Sequence, residues 1–161
     1  SQTAELFTAP APVVQSLKSL FEAAARAYLA RHRRQADHPY FAEPPAHWHL
    51  ISNAVILYSS GYQDPHVHPA GYLSGVYYVD IPEEVSEGTA AAGCIRFYDS
   101  QNIEGANNFE TLRPKNGRLV LFPSYFWHGT VPFASPRDRI YVAMDLVPEG
   151  AAERSRAAIL G

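Results

Sequence analysis

The sequence predicts a mostly β protein, a double-sheet jelly roll with one N-terminal amphipathic helix packed against it. Three observations lead there. Apolar residues recur at helical spacing from Val13 to about Ala36. Past a proline-rich break the period shortens to alternating and buried apolar runs, each bounded by Gly, Asn, Asp or Pro. Asn116-Gly117, just ahead of "RLVLFPS", is the strongest hairpin signal in the chain.

Residues 1–12 read as a tail closed by Pro10 and Pro12, and 13–161 as a single domain. Within it, 13–36 is the helical buttress: Val13, Val14, Leu17, Leu20, Phe21, Ala24, Ala25, Tyr28 and Leu29 form one stripe to bury. The basic run at Arg31 to Arg34 suits the C-terminal end of that helix. "DHPYFAEPPAHW" is a connection in which Pro39, Pro44 and Pro45 block regular structure. The barrel core, 47–147, follows. "HLISNAVILYS" is a strand, "SGYQDPH" supplies turn chemistry, and "YLSGVYYVDI" is a second strand. "PEEVSEGTAAAG" is a loop, "CIRFYD" a strand, and "SQNIEGANN" a loop from which "FETLRP" emerges as a short strand. "NGRLVLFPS" is a tight turn and a buried strand, and "RIYVAMDLV" is the last strand. The tail from Pro148 reads as a short helix.

Composition narrows the functions. With 161 residues, 47% hydrophobic and 18% charged, a packed core is available. A net charge of −3 is not a nucleic-acid footprint. No apolar run approaches the roughly 20 residues of a membrane span, and no signal-peptide pattern opens the chain. Cys94 is the sole cysteine, so no internal disulfide forms, which fits a reducing, cytoplasmic setting. It reads as a small core residue. The chain begins at Ser1 rather than Met, as a trimmed chain or a piece of something longer would.

The chemistry concentrates in three histidines. His66 and His68 stand two apart in "DPHVHP", and residues i and i+2 of a strand face the same way. His128, at the end of "SYFWH", is expected to close the third vertex from the opposite sheet. Imidazole suits Fe, Zn, Cu and Ni alike, and three protein ligands leave positions open for a substrate. The similarly spaced His47 and His49 are read as incidental. Eleven residues past His128, alternation along "RIYVAMD" puts Arg139, Tyr141, Ala143 and Asp145 on one face. Arg139 is either an anchor beside the metal or an edge residue paired with Asp138 or Glu149; Arg137 is the alternate anchor.

The segment from about His47 to Val147 resembles the Fe(II)/2-oxoglutarate-dependent oxygenases, most nearly a bacterial and phage group carrying "H-x-H-P … S-G-V-Y-Y". The strand pattern is also similar to that of prolyl hydroxylases. The resemblance implies the double-stranded β-helix form of the jelly roll, and Fe(II) with 2-oxoglutarate as co-substrate. His66 then matches the first ligand and His128 the distal one. Arg139 matches the arginine that grips the far carboxylate of 2-oxoglutarate, and Tyr78 a tyrosine that assists it. Ser74 lies on the face of Tyr78 and Tyr58 joins this co-substrate set; alternation, not the resemblance, lets Tyr141 present its hydroxyl to the same carboxylate, where many relatives have a Ser. Most of the superfamily has H-x-D where this chain has His68. Three readings therefore stay open: His68 ligates, Asp64 swings in as the carboxylate, or His68 stands behind a water. The aromatics Tyr58, Tyr72, Tyr77, Tyr125, Phe126 and Trp127 are expected around the pocket, and Asn53 and Gln63 near substrate or co-substrate.

The implied reaction is oxidative decarboxylation of 2-oxoglutarate to succinate and CO2, with O2 hydroxylating an organic substrate. That substrate is a small molecule or a peptide, chosen by loops whose sequence carries no code. A homodimer stays open. Two rivals remain: a cupin-like three-histidine dioxygenase needing no keto acid, and a non-catalytic jelly-roll binding module.

Overall fold

In the computed structural model, which describes residues 1–32, 37–58, 61–99 and 107–150 (the side chain of Asn108 aside), two four-stranded antiparallel sheets face one another. The jelly roll expected from the sequence is the fold observed. Helix α1 spans Pro12–His32, α2 Pro39–Ala42 and α3 Glu83–Ser86. The strands are β1 Trp48–Leu57, β2 Gln63–His66, β3 Leu73–Asp80, β4 Ile95–Tyr98, β5 Asn108–Leu112, β6 Leu119–Pro123, β7 Trp127–Thr130 and β8 Arg139–Pro148. One sheet runs β1-β8-β3-β6, the other β2-β7-β4-β5.

Pro12 starts α1, where a missing N–H costs nothing, and Arg31 and His32 sit in its last turn. The helix buries Phe21 and Ala25 against the outer face of the first sheet, beside Leu50, Leu73, Val142, Met144 and Leu146. Burying a side chain such as Phe21 contributes on the order of 2 kcal/mol. A second cluster lies between the sheets and includes Val55, Val76, Tyr78, Ile95, Phe122 and Tyr141. Strand β8 thus alternates: Val142, Met144 and Leu146 serve the helix side, and Tyr141 and Ala143 the barrel interior. This alternation aims Arg139, Tyr141 and Asp145 inward.

Several elements depart from expectation. The tail lies along β1: Thr3 N donates to Ala54 O, and Ile56 N to Ser1 O. The Glu5 carboxylate fixes it by accepting from Ser52 N, Ser52 Oγ and Phe7 N. The proline-rich connection and the loop after β3 each hold one helical turn, α2 and α3. The Asn116-Gly117 turn forms, with Gly117 at φ 78°, but the strands flanking it do not pair. β5 joins β4 and β6 joins β3, so the turn carries the chain between sheets. Its anchors are Ile81 N on Asn116 Oδ1 and Gly117 N on Tyr78 O. Four expectations fall outside the described residues: the extension of α1 to Ala36, Arg33 and Arg34 of the basic run, loop 100–106, and a helix over 151–161.

Candidate metal centre

His66 ends β2, and its Cα pairs across the ladder with that of His128 on β7. The third vertex therefore comes from the neighbouring strand of the same sheet, not from the opposite sheet as spacing suggested. Nor does strand alternation place His68, which lies beyond β2. Its backbone N donates to Ser124 O at 2.9 Å, in the turn between β6 and β7. The three rings still converge, with centroids 4.5 Å (His66–His128), 5.1 Å (His66–His68) and 5.1 Å (His68–His128) apart. One ligating atom of each lies within 4.8 Å of those of the other two.

Every Nδ1 already has a partner. His66 Nδ1 donates to Asp64 O at 2.8 Å and His128 Nδ1 to Phe126 O at 2.9 Å. His68 Nδ1 lies 2.7 Å from both carboxylate oxygens of Asp145. Such oxygens accept only, so the Nδ1 atoms carry the protons and the Nε2 lone pairs are left over. Three neutral imidazoles with a ligating nitrogen each inside 4.8 Å fit a borderline transition-metal ion, and the Nε2 atoms are the ones left unprotonated. Burial lowers the pKa of His128 to about 4, helped by the charges of His66 and His68 and opposed by its bond to the Phe126 carbonyl. Its neutral form, the ligating one, therefore dominates at neutral pH. Gly129 permits this approach, because a Cβ there would sit 2.9 Å from Gln63 O and 3.1 Å from Pro65 N.

Behind the histidines a cavity of about 380 Å³ runs between the sheets, lined by all three and by Arg139, Tyr78 and Tyr141. Tyr78 and Tyr141 are ladder partners, and the Arg139 guanidinium carbon lies 5.3 Å from each ring centroid. Arg139 is 1% exposed and donates through Nη1 to Gly93 O. Among the described residues its Nε and the hydroxyl protons of Tyr78 and Tyr141 meet no acceptor, and the Tyr78 oxygen stands close enough to the guanidinium to receive from it. Burial pushes the Tyr78 pKa up to about 12 against the pull of Arg139, and raises that of Tyr141 as well. Three buried donors, one of them cationic, share a cavity with a set of metal-ligating nitrogens. A carboxylate fits them.

The other expected site residues lie elsewhere. Ser74 is buried, donates to Asp145 and stands outside the cavity wall, because its side chain is turned toward the carboxylate behind His68. Tyr58 is 57% exposed and lines no part of the cavity. Asp64 is exposed and offers its backbone carbonyl, not its carboxylate. Arg137 is exposed and pairs with Asp80 at 3.0 Å. Asn53 and Gln63 do line the cavity. None of the six aromatics expected around the pocket does. Tyr77 packs on Phe21 of α1, and Tyr125 and Phe126 border a separate aromatic hollow with Phe97 and Phe109. Sequence reasoning put Asp145 on the correct face but assigned it no partner, and it missed Ser124 and Gly71, which no local pattern marks.

A family model described as "Putative 2OG-Fe(II) oxygenase" matches residues 52–145, more than half of the chain. Among curated proteins none matches. Solved structures similar to it include a prolyl-4-hydroxylase from Pseudomonas putida, with 15% identity, 62% of this chain and 53% of that one covered, and a TM-score of 0.47. An oxidoreductase of the 2OG-Fe(II) oxygenase family from Burkholderia pseudomallei has 12% identity, coverage of 66% and 48%, and a TM-score of 0.48. EvdMO1 has 12% identity, coverage of 65% and 28%, and a TM-score of 0.50, a likeness of fold. The aligned region spans about half the length of the first two.

Proposed function

We propose that this chain, which belongs to the 2OG-Fe(II) oxygenase family, is a non-haem iron enzyme that couples 2-oxoglutarate decarboxylation to hydroxylation of an organic substrate. His66, His68 and His128 would hold the iron through Nε2. Arg139 would bind the far carboxylate of 2-oxoglutarate, with the hydroxyls of Tyr78 and Tyr141 donating to it. Fe(II) and 2-oxoglutarate together supply the activation of O2 and the oxidation of a C–H bond. The protein's part is placement. The Nδ1 acceptors fix three ring orientations before any ion arrives. The guanidinium adds a charge-assisted contact of roughly 1.5–3 kcal/mol. Val55, Val76 and Ile95 keep the wall apolar and the acid dry, and the amides of Asn53 and Gln63 would orient the substrate.

The observation that carries this reading is the trio of buried, unpartnered donors in the cavity that the histidines share. A three-histidine dioxygenase without a keto acid would leave them without an acceptor. The test is anaerobic addition of Fe(II) and then 2-oxoglutarate to metal-free protein. The expected result is a weak visible charge-transfer band in wild type, which Arg139→Gln develops only at 2-oxoglutarate concentrations about 10- to 150-fold higher. Wild type without the band would refute the keto-acid reading. Succinate formed only with both iron and O2 present would establish turnover.

A further inference from the structure

We infer that Asp145 is the carboxylate of this metal centre, set one imidazole away from the ion: a positioning residue that orients His68 and supplies the negative charge a directly bound carboxylate would bring. This rests on the reading that the three histidines hold the ion. A divalent ion on three neutral imidazoles carries one positive charge more than it would on two imidazoles and a carboxylate. Two of the rings lean on neutral backbone carbonyls. Only His68, at the position where the resemblance expects an aspartate, leans on a full charge, with both Asp145 oxygens 2.7 Å from Nδ1.

The surroundings build Asp145 in place. It stands on β8 opposite Ser74 of β3, on the strand that also carries Arg139. Ser74 Oγ donates to its carboxylate, which uses the only proton of that hydroxyl, so Ser124 Oγ donates to Ser74 Oγ at 2.8 Å. The His68 amide on Ser124 O closes the loop. The space is taken: a Cβ on Gly71 would lie 2.5 Å from Ser124 Oγ and 3.5 Å from Asp145 Oδ1. A carboxylate hydrogen-bonded to a ligating imidazole fixes its tautomer and raises its basicity, an effect typically worth 10- to 100-fold in metal affinity.

The test uses Co(II), which is stable in air, and reads affinity by competition with a chelator. Asp145→Asn keeps the shape and loses the charge, and is expected to weaken Co(II) binding about 10- to 100-fold. Ser74→Ala keeps the charge and loses one hydrogen bond, and is expected to cost less than about threefold. Wild-type affinity in Asp145→Asn, or equal losses in the two variants, would overturn the inference, the second outcome marking a structural role alone. If Asp145→Asn does not fold, the His68→Asp background decides. There the inference requires that adding Asp145→Asn leave Co(II) binding equal or tighter, and a weaker double variant overturns it. Wild type that holds no Co(II) would instead bring down the three-histidine reading itself.

Discussion

A guanidinium buried to 1% exposure must be answered by acceptors or by an anion, and among the described residues Arg139 has one carbonyl, that of Gly93. Holding it there costs the folded protein stability, so two substitutions should separate function from folding. Arg139→Gln is expected to weaken 2-oxoglutarate binding about 10- to 150-fold, the equivalent of roughly 1.5–3 kcal/mol, while Co(II) affinity stays within about threefold. Calorimetric titration of the Co(II)-loaded protein measures it. Arg139→Met should bind no measurable 2-oxoglutarate and yet melt at or above the wild-type temperature, because an apolar side chain of similar volume removes a buried charge that has no ion-pair partner among the described residues. A melting temperature well below wild type would mean that the guanidinium holds the barrel together. Arg139 was legible in the sequence because strand alternation is local. The role of Asp145 was not, because its partner His68 lies 77 residues away and a ladder register has to bring them together.

One strand pair, β2 with β7, sets the distance between His66 and His128. Gly129 controls how near the two strands come, since a Cβ would press on Gln63 O and Pro65 N, backbone atoms with little room to give. Gly129→Ala is therefore expected to cost roughly 1–3 kcal/mol by overpacking and to weaken Co(II) binding at least tenfold. Gly117→Ala is the contrast: its Cβ meets nothing within 4 Å, but φ is 78°. It should lose about 1 kcal/mol of stability and leave Co(II) affinity unchanged. Urea unfolding and chelator competition on the two proteins read both quantities, and equal effects on affinity would show that β2–β7 contact does not govern the site. At this scale the sequence carried six of the eight described strands, for hydrophobic period and turn residues are local properties, but it read the residues of β2 as turn chemistry and set no separate strand at β7. It did not carry partners. Asn116-Gly117 looks like a hairpin because two residues can specify a turn, but whether the next strand joins β5 or crosses to β3 depends on contacts far along the chain. His66 and His68 were correctly grouped through a strand argument that holds only for His66; the turn at Ser124 places the other.

Across the whole molecule, the two sheets bury ionisable groups that the unfolded chain would expose, so stability should form a plateau in pH with two falling limbs. His128, in the sheet with β2, has its pKa lowered from 6.5 to about 4 by burial. As pH falls below 6.5 the unfolded chain takes up this proton and the metal-free folded protein does not. The contribution is therefore complete above pH 6.5 and is lost down to about pH 4, about 3 kcal/mol in all. Tyr78, in the facing sheet, has its pKa raised from 10 to about 12 by burial, with Arg139 pulling the other way. Its contribution is complete below pH 10 and is lost as the unfolded chain ionises first, about 3 kcal/mol between pH 10 and 12. Half-buried Tyr28, raised to about 12, bends the same limb in the same direction. Urea unfolding of metal-free protein across these windows should show both limbs. His128→Gln should flatten the acid limb and leave the alkaline one, and Tyr78→Phe should leave the acid limb and make the alkaline one shallower without removing it, because Tyr28, Tyr40 and Tyr141 are raised by burial too. Zn(II) should steepen the acid limb, because metal and proton compete for the same imidazole nitrogens. An acid limb of full slope in His128→Gln would place its origin outside the three-histidine cluster. A metal-loaded protein whose acid limb matched that of the metal-free form would mean that the ion is not bound to titrating imidazoles.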